Sequence, residues 1–506
     1  FARYPFACLE QKTSKSVGLR DGKLWQTVAA QIPSYLDSDG LANYFPPRDG
    51  EANRGSDTLT AYLLAATHEA ASINPAFALS DEIRAPMERG LIAFVEGRIQ
   101  RDFWSPRKDL DMRKLAAIEA LSRYGKAQGR MVNSITIAPN QWPTHTVIDW
   151  LNILKRVNDV PERDKRIAEA SQILRSRISY QGTKMIFSTE KDDYWWWLMQ
   201  SGDVNTARLI LSVLDDPAWK DDMGRLANGF ISRQQHGAWH TTTANLWGGL
   251  ALEKFSARFE AVPVAGTTKA SMSTGSAAVD WSKVERIKTT DASGAAHQTT
   301  WFGAPAAPGN LKNNSMFLPW SKAIEKGAAK DALNVTHQGA GKPWLTLQSV
   351  AAVQLKAPFF AGYQIKKTVT PVEQANKNLP AGSYTRGDVL RISIEVNASL
   401  DMTWVAITDP VPGGATILGS GLGRDSEIAT QGEKREGYGW AAFEERSFES
   451  FRSYYQYLPK GVVKMEYTIR LNNVGEFSLP PSRVEAMYAP EMFGEAPNAR
   501  VKVTAP

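Results

Sequence analysis

One change in the spacing of apolar residues constrains the fold of this chain most. Up to about residue 260, apolar residues recur every three or four positions, which is the period of an amphipathic helix. One such stripe follows the candidate helix caps Ser56 and Asp57 and includes Leu59, Tyr62, Leu63 and Ala66. In the last third, as at 390–397 and 463–471, apolar and polar residues alternate, which predicts strands with one wet face. The chain therefore reads as helical first and β-rich last.

The connections between the predicted helices are short and often contain Pro, Asp or Gly. Pro86 suits the first turn of a helix, and Gly125 suits a helix end. Paired antiparallel helices of this kind can close into an α/α toroid, and several strands over the last 140 residues or so suggest an antiparallel β-sandwich. The predicted fold class is multidomain α + β, with an α/α toroid followed by antiparallel β-sandwich domains. The predicted boundaries are 1–260, 261–357 and 358–506.

Composition excludes several classes of protein. Of 506 residues, 43% are apolar and 22% charged, which is ordinary for folded domains, and no apolar run approaches the ~20 residues that span a bilayer. The net charge of +6 lies in no basic stripe interleaved with aromatics, so we expect no nucleic-acid partner. The sequence begins at Phe1 rather than Met, and we expect it to be a piece of a longer chain, in which any export signal or anchor would lie upstream.

Cys8 is the only cysteine, and Gln11 follows it by three residues. On a helical turn the two side chains share a face. A thiolate there could attack the carboxamide, release ammonia and leave an internal thioester, a stored acyl group open to amines. Such a bond survives only where water is kept out. The spacing alone does not separate this chemistry from an inert buried thiol.

The sequence around Cys8 is Tyr4-Pro5-Phe6-Ala7-Cys8-Leu9-Glu10-Gln11. It resembles the thioester segment of bacterial alpha-2-macroglobulins, commonly Tyr-Pro-Tyr-Gly-Cys-Leu-Glu-Gln. The likeness continues, in order along nearly the whole chain, at 55–63, 201–205, 234–239, 241–245, 457–461 and 485–490.

The resemblance implies a toroidal thioester domain, the second part of a β-domain that hosts it, and a C-terminal macroglobulin-like domain. It also implies that Cys8 and Gln11 form the thioester and that Tyr4 and Phe6 cover it. Met487 and Tyr488 would close the pocket from the last domain in the uncleaved protein.

The function implied is that of a broad-range protease trap. A protease cuts an exposed bait segment, absent from this chain, the cover opens, and a surface lysine of the protease attacks the acyl group of Gln11. Such a molecule acts once, so it is not an enzyme, and no cofactor is expected. We expect a monomer in the periplasm, held to the inner membrane only if an upstream lipid anchor exists. A lone cysteine suits that oxidising compartment.

Three residues depart from the family pattern. Ala7 stands where Gly is usual, and a positive φ there would strain an alanine. Phe6 lacks the hydroxyl of the usual Tyr. Lys12 places an amine directly after Gln11, where it could assist or quench a stored acyl group.

Two other functions remain open at this point. One is an interaction scaffold of the same family whose thioester is lost or unused, which reaction with methylamine would distinguish. The other is a carbohydrate-active α/α-toroid enzyme using Asp192 and Asp193 beside a run of tryptophans, which binding to a glycan panel would distinguish. His236 and His240 have a spacing that could hold a metal, but no further ligand joins them, and we expect no metal.

Overall fold

A computed structural model of the chain describes the following residues: 6–47, 54–189, 193–235, 237–260, 262–284, 286–290, 296–300, 316–319, 332–345, 347, 355–419 and 432–506. They divide into two compact units. The first unit takes its residues from 1–44, 54–101 and 109–349, and the second from 45–53, 102–108 and 350–506. Within the described ranges every helix is too short or too polar to span a lipid bilayer.

The first unit is mainly helical. Its helices are α1 (Leu9–Gly18), α2 (Gly22–Gln31), α3 (Asp57–Ile73), α4 (Asp81–Val95), α5 (Leu110–Ser122), α6 (Thr144–Arg156), α7 (Arg163–Ser176), α8 (Gly202–Val213), α9 (Met223–Ile231) and α10 (Thr242–Phe259). A hairpin of β1 (Ile178–Gln181) and β2 (Lys184–Phe187) interrupts them.

Six of these helices pack in a closed circuit. Helix α1 contacts α3, α3 contacts α5, α5 contacts α6, α6 contacts α8, α8 contacts α10, and α10 returns to α1. The N termini of three of these helices are fixed by side chains that accept a backbone N–H: Ser56 caps α3, Ser201 caps α8 and Thr241 caps α10. The circuit places the start of α1, and with it Cys8, beside α3 and α10.

Pro86 is not in a first helical turn, so that prediction is wrong. Helix α4 begins at Asp81, and Pro86 lies inside it. Two acidic residues, Asp81 and Glu82, occupy the first turn, where the helix dipole favours negative charge. The helix therefore starts a turn earlier than the proline suggested.

The interior of the helical unit is charged. Glu119 of α5 pairs with Arg123 at 2.8 Å and with Arg156 at 2.9 Å. Burial alone would raise the pKa of Glu119, but the arginines around it hold the pKa well below its ordinary value. A second buried pair joins Asp57 of α3 to Arg113 of α5 through two bonds of 2.7 and 2.9 Å. These pairs cross-link neighbouring helices of the circuit.

The stretch after α10 contains short strands. The strands β3 (Thr267–Met272), β4 (Gly275–Asp280) and β7 (Asn334–Gln338) form one sheet in the order β4-β3-β7, and β5 (Arg286–Thr290) pairs with β6 (Ala296–Thr300). By contact these strands belong to the first unit. The three-domain division predicted from the sequence remains a prediction.

The second unit is built from strands. They are β8 (Phe359–Ala361), β9 (Tyr363–Glu373), β10 (Ser383–Thr385), β11 (Val389–Ala398), β12 (Met402–Pro410), β13 (Thr416–Ile417), β14 (Arg435–Glu436), β15 (Trp440–Arg446), β16 (Ser450–Leu458), β17 (Gly461–Arg470), β18 (Gly475–Phe477), β19 (Ser482–Ala486), β20 (Ala489–Ala496) and β21 (Val501–Thr504). One antiparallel sheet has the order β13-β17-β11-β9, with β14 also on β17, and the other has the order β15-β16-β12-β19-β20-β8.

The alternating segment at 390–397 lies in β11, and the segment at 463–471 lies in β17 and the one residue that follows it. The apolar side chains of both segments are buried, as predicted. The two sheets share a core, in which Phe451 of β16 stacks on Tyr467 of β17 with ring centroids 4.3 Å apart. A third, small sheet pairs β10 with β21 in parallel, so the unit is not antiparallel throughout.

Two short segments from the first part of the sequence belong to this β unit. Phe45 stacks on Phe443 and packs on Tyr454, with centroid distances of 4.9 Å in both cases. Trp104 packs on Tyr457 at 5.2 Å. The β unit is therefore discontinuous in sequence.

Candidate functional site

Cys8 and Gln11 meet at the N terminus of α1. Cys8 is the N-cap residue, with φ −70° and ψ 168°, and its thiol faces the backbone N–H of Gln11. The Oε1 atom of Gln11 accepts a hydrogen bond of 3.3 Å from the backbone N–H of Cys8. The side chains are 0% and 1% exposed. The structure thus brings the two predicted thioester residues together, away from solvent.

This position bears on both residues. Cys8 stands at a helix N terminus, where the helix dipole can stabilise negative charge that develops on the sulfur as its proton leaves. The backbone N–H that bonds Oε1 polarises the Gln11 carbonyl and would stabilise the negative charge that develops on this oxygen during attack. The reciprocal cap is an arrangement from which a thioester can form.

Glu10, which lies between Cys8 and Gln11 in the sequence, is a buried carboxylate that is connected to two other helices through hydrogen bonds. Its Oε1 accepts a 2.6 Å hydrogen bond from Ser14 Oγ, and both of its oxygens lie 2.9 Å from Thr242 Oγ1 of α10. Ser14 Oγ lies 2.7 Å from the hydroxyl of Tyr62 on α3. A hydrogen-bonded chain therefore links α1, α3 and α10 directly below the N-cap.

The electrostatics connect this chain to the thiol. Burial raises the pKa of Tyr62 well above its ordinary value, and the negative charge of Glu10 raises it further. Cys8 and Tyr44 also raise this pKa, so both side chains lie within electrostatic range of the Tyr62 hydroxyl. Tyr62 is thus held neutral beside the reactive pair.

The residues predicted to cover the thioester have different positions. Phe6 is buried within the first unit, two residues before Cys8. Tyr4 lies outside the described residues. Met487 and Tyr488 belong to the second unit and fill the turn between β19 and β20, where the backbone N–H of Met487 donates to the carbonyl of Trp404 at 2.9 Å. Their proposed role as a cover remains a prediction.

The departures at Ala7 and Lys12 find a structural explanation. Ala7 is exposed and is not one of the described non-glycine residues with positive φ, so alanine is not strained there. The Lys12 amine donates to the Tyr35 hydroxyl at 2.9 Å and also lies over its ring. Lys12 is therefore engaged by Tyr35 rather than left beside the carboxamide.

The residues of the two alternative sites are placed differently. Asp193 is buried and accepts the backbone N–H of Thr144 at 2.9 Å, as well as the hydroxyl of the same residue, so it caps α6. Asp192 and His236 lie outside the described residues, and His240 is exposed. Among the described residues no group of three or more His, Cys, Asp or Glu side chains could hold a metal.

Reasoning from the sequence missed Glu10, Ser14, Tyr62 and Thr242 as members of the site. Glu10, Tyr62 and Thr242 were visible only as part of a helical stripe or of a matched segment, and Ser14 belongs to neither. A buried acidic residue in the first turn of a helix was the available signal, since its partners are separated from it by as many as 232 positions.

The chain was compared with known proteins. A family model described as "Bacterial Alpha-2-macroglobulin MG10 domain" matches residues 362–491. A search among curated proteins found no match.

Solved structures share the fold of nearly the whole chain. Native alpha-2-macroglobulin of Escherichia coli, spanning domain MG7 to the C terminus, has a TM-score of 0.65 at 16% identity, over 99% of this chain and 74% of that one. The cryo-EM structure of the native E. coli protein gives 0.63 at 16% identity, over 99% of this chain and 30% of that one. A Salmonella alpha-2-macroglobulin reacted with methylamine gives 0.61 at 16%, with the same coverage of 99% and 30%. Residues 362–491 therefore match the MG10 domain of bacterial alpha-2-macroglobulins, and the chain as a whole shares the fold of the E. coli structure that spans domain MG7 to the C terminus.

Proposed function

We propose that this chain is the thioester-bearing part of a protease trap. The observation that carries the proposal is the buried reciprocal cap, in which the thiol of Cys8 faces the backbone N–H of Gln11 and the carboxamide of Gln11 accepts the backbone N–H of Cys8. An inert core cysteine needs no such partner. The closed circuit of helices supports the predicted α/α toroid, which would present this pair at its end.

In the proposed reaction the thiolate of Cys8 attacks the side-chain carbonyl carbon of Gln11, and ammonia leaves. The thioester then waits until a lysine amine of an attacking protease replaces the sulfur. The products are an amide bond to the protease and a free Cys8 thiol. Each molecule reacts once, so the protein is an inhibitor and not an enzyme.

The similar Salmonella protein was crystallised after reaction with methylamine, a small amine of the kind that opens a thioester. The chain spans 74% of the MG7-to-C-terminus structure and 30% of the whole-molecule structures. For the whole protein, we therefore propose that it senses cleavage of a bait segment. We also propose that it is a periplasmic monomer, held to the membrane only if a lipid anchor lies upstream. Cover by Tyr4, Phe6, Met487 and Tyr488 is part of the same proposal.

The test is the intact mass of gently purified full-length protein. We expect a mass lower than that of the sequence by one ammonia, and a Cys8 thiol that a thiol reagent detects only after methylamine treatment. Replacing Cys8 with Ala should abolish both the mass deficit and the released thiol.

A second measurement tests the partner. Full-length protein incubated with trypsin should retain the protease covalently under denaturing conditions, and the Cys8→Ala variant should not. Full mass together with a freely reactive Cys8 in undamaged protein would contradict the proposal and favour a scaffold without a thioester.

A further inference from the structure

The hydrogen-bonded chain below Cys8 has a defined direction. An ionised carboxylate only accepts hydrogen bonds, so the single hydroxyl proton of Ser14 points at Glu10. Ser14 then has no proton left to give to Tyr62, and the 2.7 Å contact must be a donation from the Tyr62 hydroxyl to Ser14 Oγ. The lone pairs of the Tyr62 oxygen remain able to accept a proton from a neighbouring group.

We assign this part to the Cys8 thiol, because Cys8 caps the helix that carries Glu10 and Ser14 and lies within electrostatic range of the Tyr62 hydroxyl. The buried carboxylate of Glu10 is the base at the other end of the chain, and Thr242 of α10 supports both of its oxygens. The titratable side chains that face Tyr62 are Glu10, Cys8 and Tyr44. Glu10 lies in the first turn of α1, and Thr242 is the first residue of α10, so the N termini of both helices lie close to this carboxylate.

We propose that Tyr62, Ser14 and Glu10 form a proton relay that serves the thioester chemistry of Cys8 and Gln11. This inference rests on the function proposed above and adds to it the path of the proton. Tyr62 is the member in range of the reacting thiol, while Ser14 and Glu10 act through Tyr62.

The step balances in atoms and charge. The thiol proton passes to Tyr62, the Tyr62 proton to Ser14 and the Ser14 proton to Glu10, which becomes a neutral carboxylic acid. The Cys8 thiolate forms the C–S bond to Gln11, and the C–N bond of the carboxamide breaks. The same proton returns along the chain to the departing nitrogen, which leaves as ammonia, and Glu10 is again a carboxylate.

Attack by an amine is the reverse of this step, with the amine in the place of ammonia. The relay then takes a proton from the attacking amine and returns one to the departing Cys8 sulfur. Both directions are open to measurement, because ammonia opens the thioester to regenerate Gln11 and a free thiol. We expect the bond to form again once the ammonia is removed.

The experiment follows re-formation of the thioester in full-length protein, from the loss of free thiol and from the mass, as a function of pH. We expect the wild-type rate to rise with pH and level off once the relay base is ionised. Glu10→Gln should be slower by a factor on the order of 10² or more, since positioned general bases contribute 10²–10⁴. Its rate should rise tenfold per pH unit without levelling off. A purely structural role for Glu10 would lower the rate by the same factor at every pH.

Matched variants separate the relay from general damage to the core. Ser14→Ala should re-form the thioester slowly. Ser14→Thr keeps the hydroxyl and should recover most of the wild-type rate of re-formation. Ser16→Ala removes another buried hydroxyl of α1, which bonds the Thr13 carbonyl, and should be fast.

Tyr62→Phe should also re-form the thioester slowly. Tyr124→Phe should re-form it at the wild-type rate, because the Tyr124 hydroxyl donates to the carbonyl of Leu64 and is not part of the relay. Wild-type rates and an unchanged pH profile in Glu10→Gln and Tyr62→Phe, with a thioester present in the wild type, would overturn the relay alone. Absence of a thioester from the wild type would overturn both the relay and the proposed function.

Discussion

Acid should destabilise the helical unit through His145 of α6. This side chain is buried, packs against Trp195 with ring centroids 5.7 Å apart, and neither ring nitrogen has a hydrogen-bond partner among the described residues. Burial lowers the pKa of His145 to about 3, and the nearby positive charge of Arg208 adds to the effect. The folded unit therefore keeps His145 neutral at a pH where the unfolded chain protonates it.

The sign and size follow from linkage. Because the pKa is lower in the folded state than the ordinary 6.5, the contribution to stability is present above pH 6.5 and is lost as pH falls towards 3. One pKa unit corresponds to 1.36 kcal/mol, so His145 alone should reduce the free energy of unfolding by about 2 kcal/mol between pH 7 and pH 5. His68, whose pKa burial lowers to about 4, acts in the same direction. Asp149 opposes them, because burial raises its pKa to about 6.

The perturbation is His145→Gln, which cannot take up the proton. The free energy of unfolding would be measured by urea titration at pH 7, 6 and 5, with the helical circular dichroism signal as the probe of the first unit. We expect the loss between pH 7 and pH 5 to be smaller in the variant by about 2 kcal/mol, on top of a constant offset from repacking. His240→Gln is the matched control, since His240 is exposed. An identical pH dependence in wild type and His145→Gln would refute the reasoning.

Three further predictions concern packing and the cover. Gly229→Ala should destabilise the protein by about 1–3 kcal/mol, because a Cβ on Gly229 would lie 2.0 Å from the Met185 carbonyl oxygen. The control Gly224→Ala, on the same helix, meets nothing within 4 Å and should be neutral or stabilising. Similar midpoints of thermal unfolding for the two variants would contradict this prediction. Asp57→Asn should cost about 3 kcal/mol in urea unfolding, because it removes the closer of the two carboxylates that pair with the buried Arg113 guanidinium and leaves only Asp109 at 3.4 Å. A cost below about 1 kcal/mol would contradict this. Tyr488→Ala should lower the free energy of unfolding by about 3–5 kcal/mol, because Tyr488 is only 2% exposed. The same variant should release the Cys8 thiol faster than the wild type in intact full-length protein. Equal release rates would show that Tyr488 does not cover the thioester.

The regular elements could be predicted where one physical signal dominated. Strands β11 and β17 bury every second side chain, so strict alternation identified them. The stripe that begins at Leu59 identified α3 and its cap Ser56 for the same reason. Ile178 also fits a helical stripe, but it begins the hairpin β1–β2, because tertiary packing overrides a marginal pattern at a helix end.

The site could be predicted only in part. The spacing of Cys8 and Gln11 is local, and a single turn of α1 brings them together. The partners of Glu10 come from α3 and α10, which only the closure of the helical circuit brings to α1. The spacing of residues along the sequence does not predict a tertiary contact of this kind.

The discontinuous β unit has a consequence for the order of synthesis. Phe45 leaves the ribosome long before its aromatic partners Phe443 and Tyr454, which follow it by 398 and 409 positions. The helices on either side of the Phe45 segment can pack as soon as they emerge, since domains generally fold from the N terminus during translation. The Phe45 ring has no aromatic partner to pack against until Phe443 and Tyr454 have been synthesised. A nascent chain paused before Phe443 should therefore expose this aromatic side chain, and it would be a natural substrate for a chaperone that binds apolar segments.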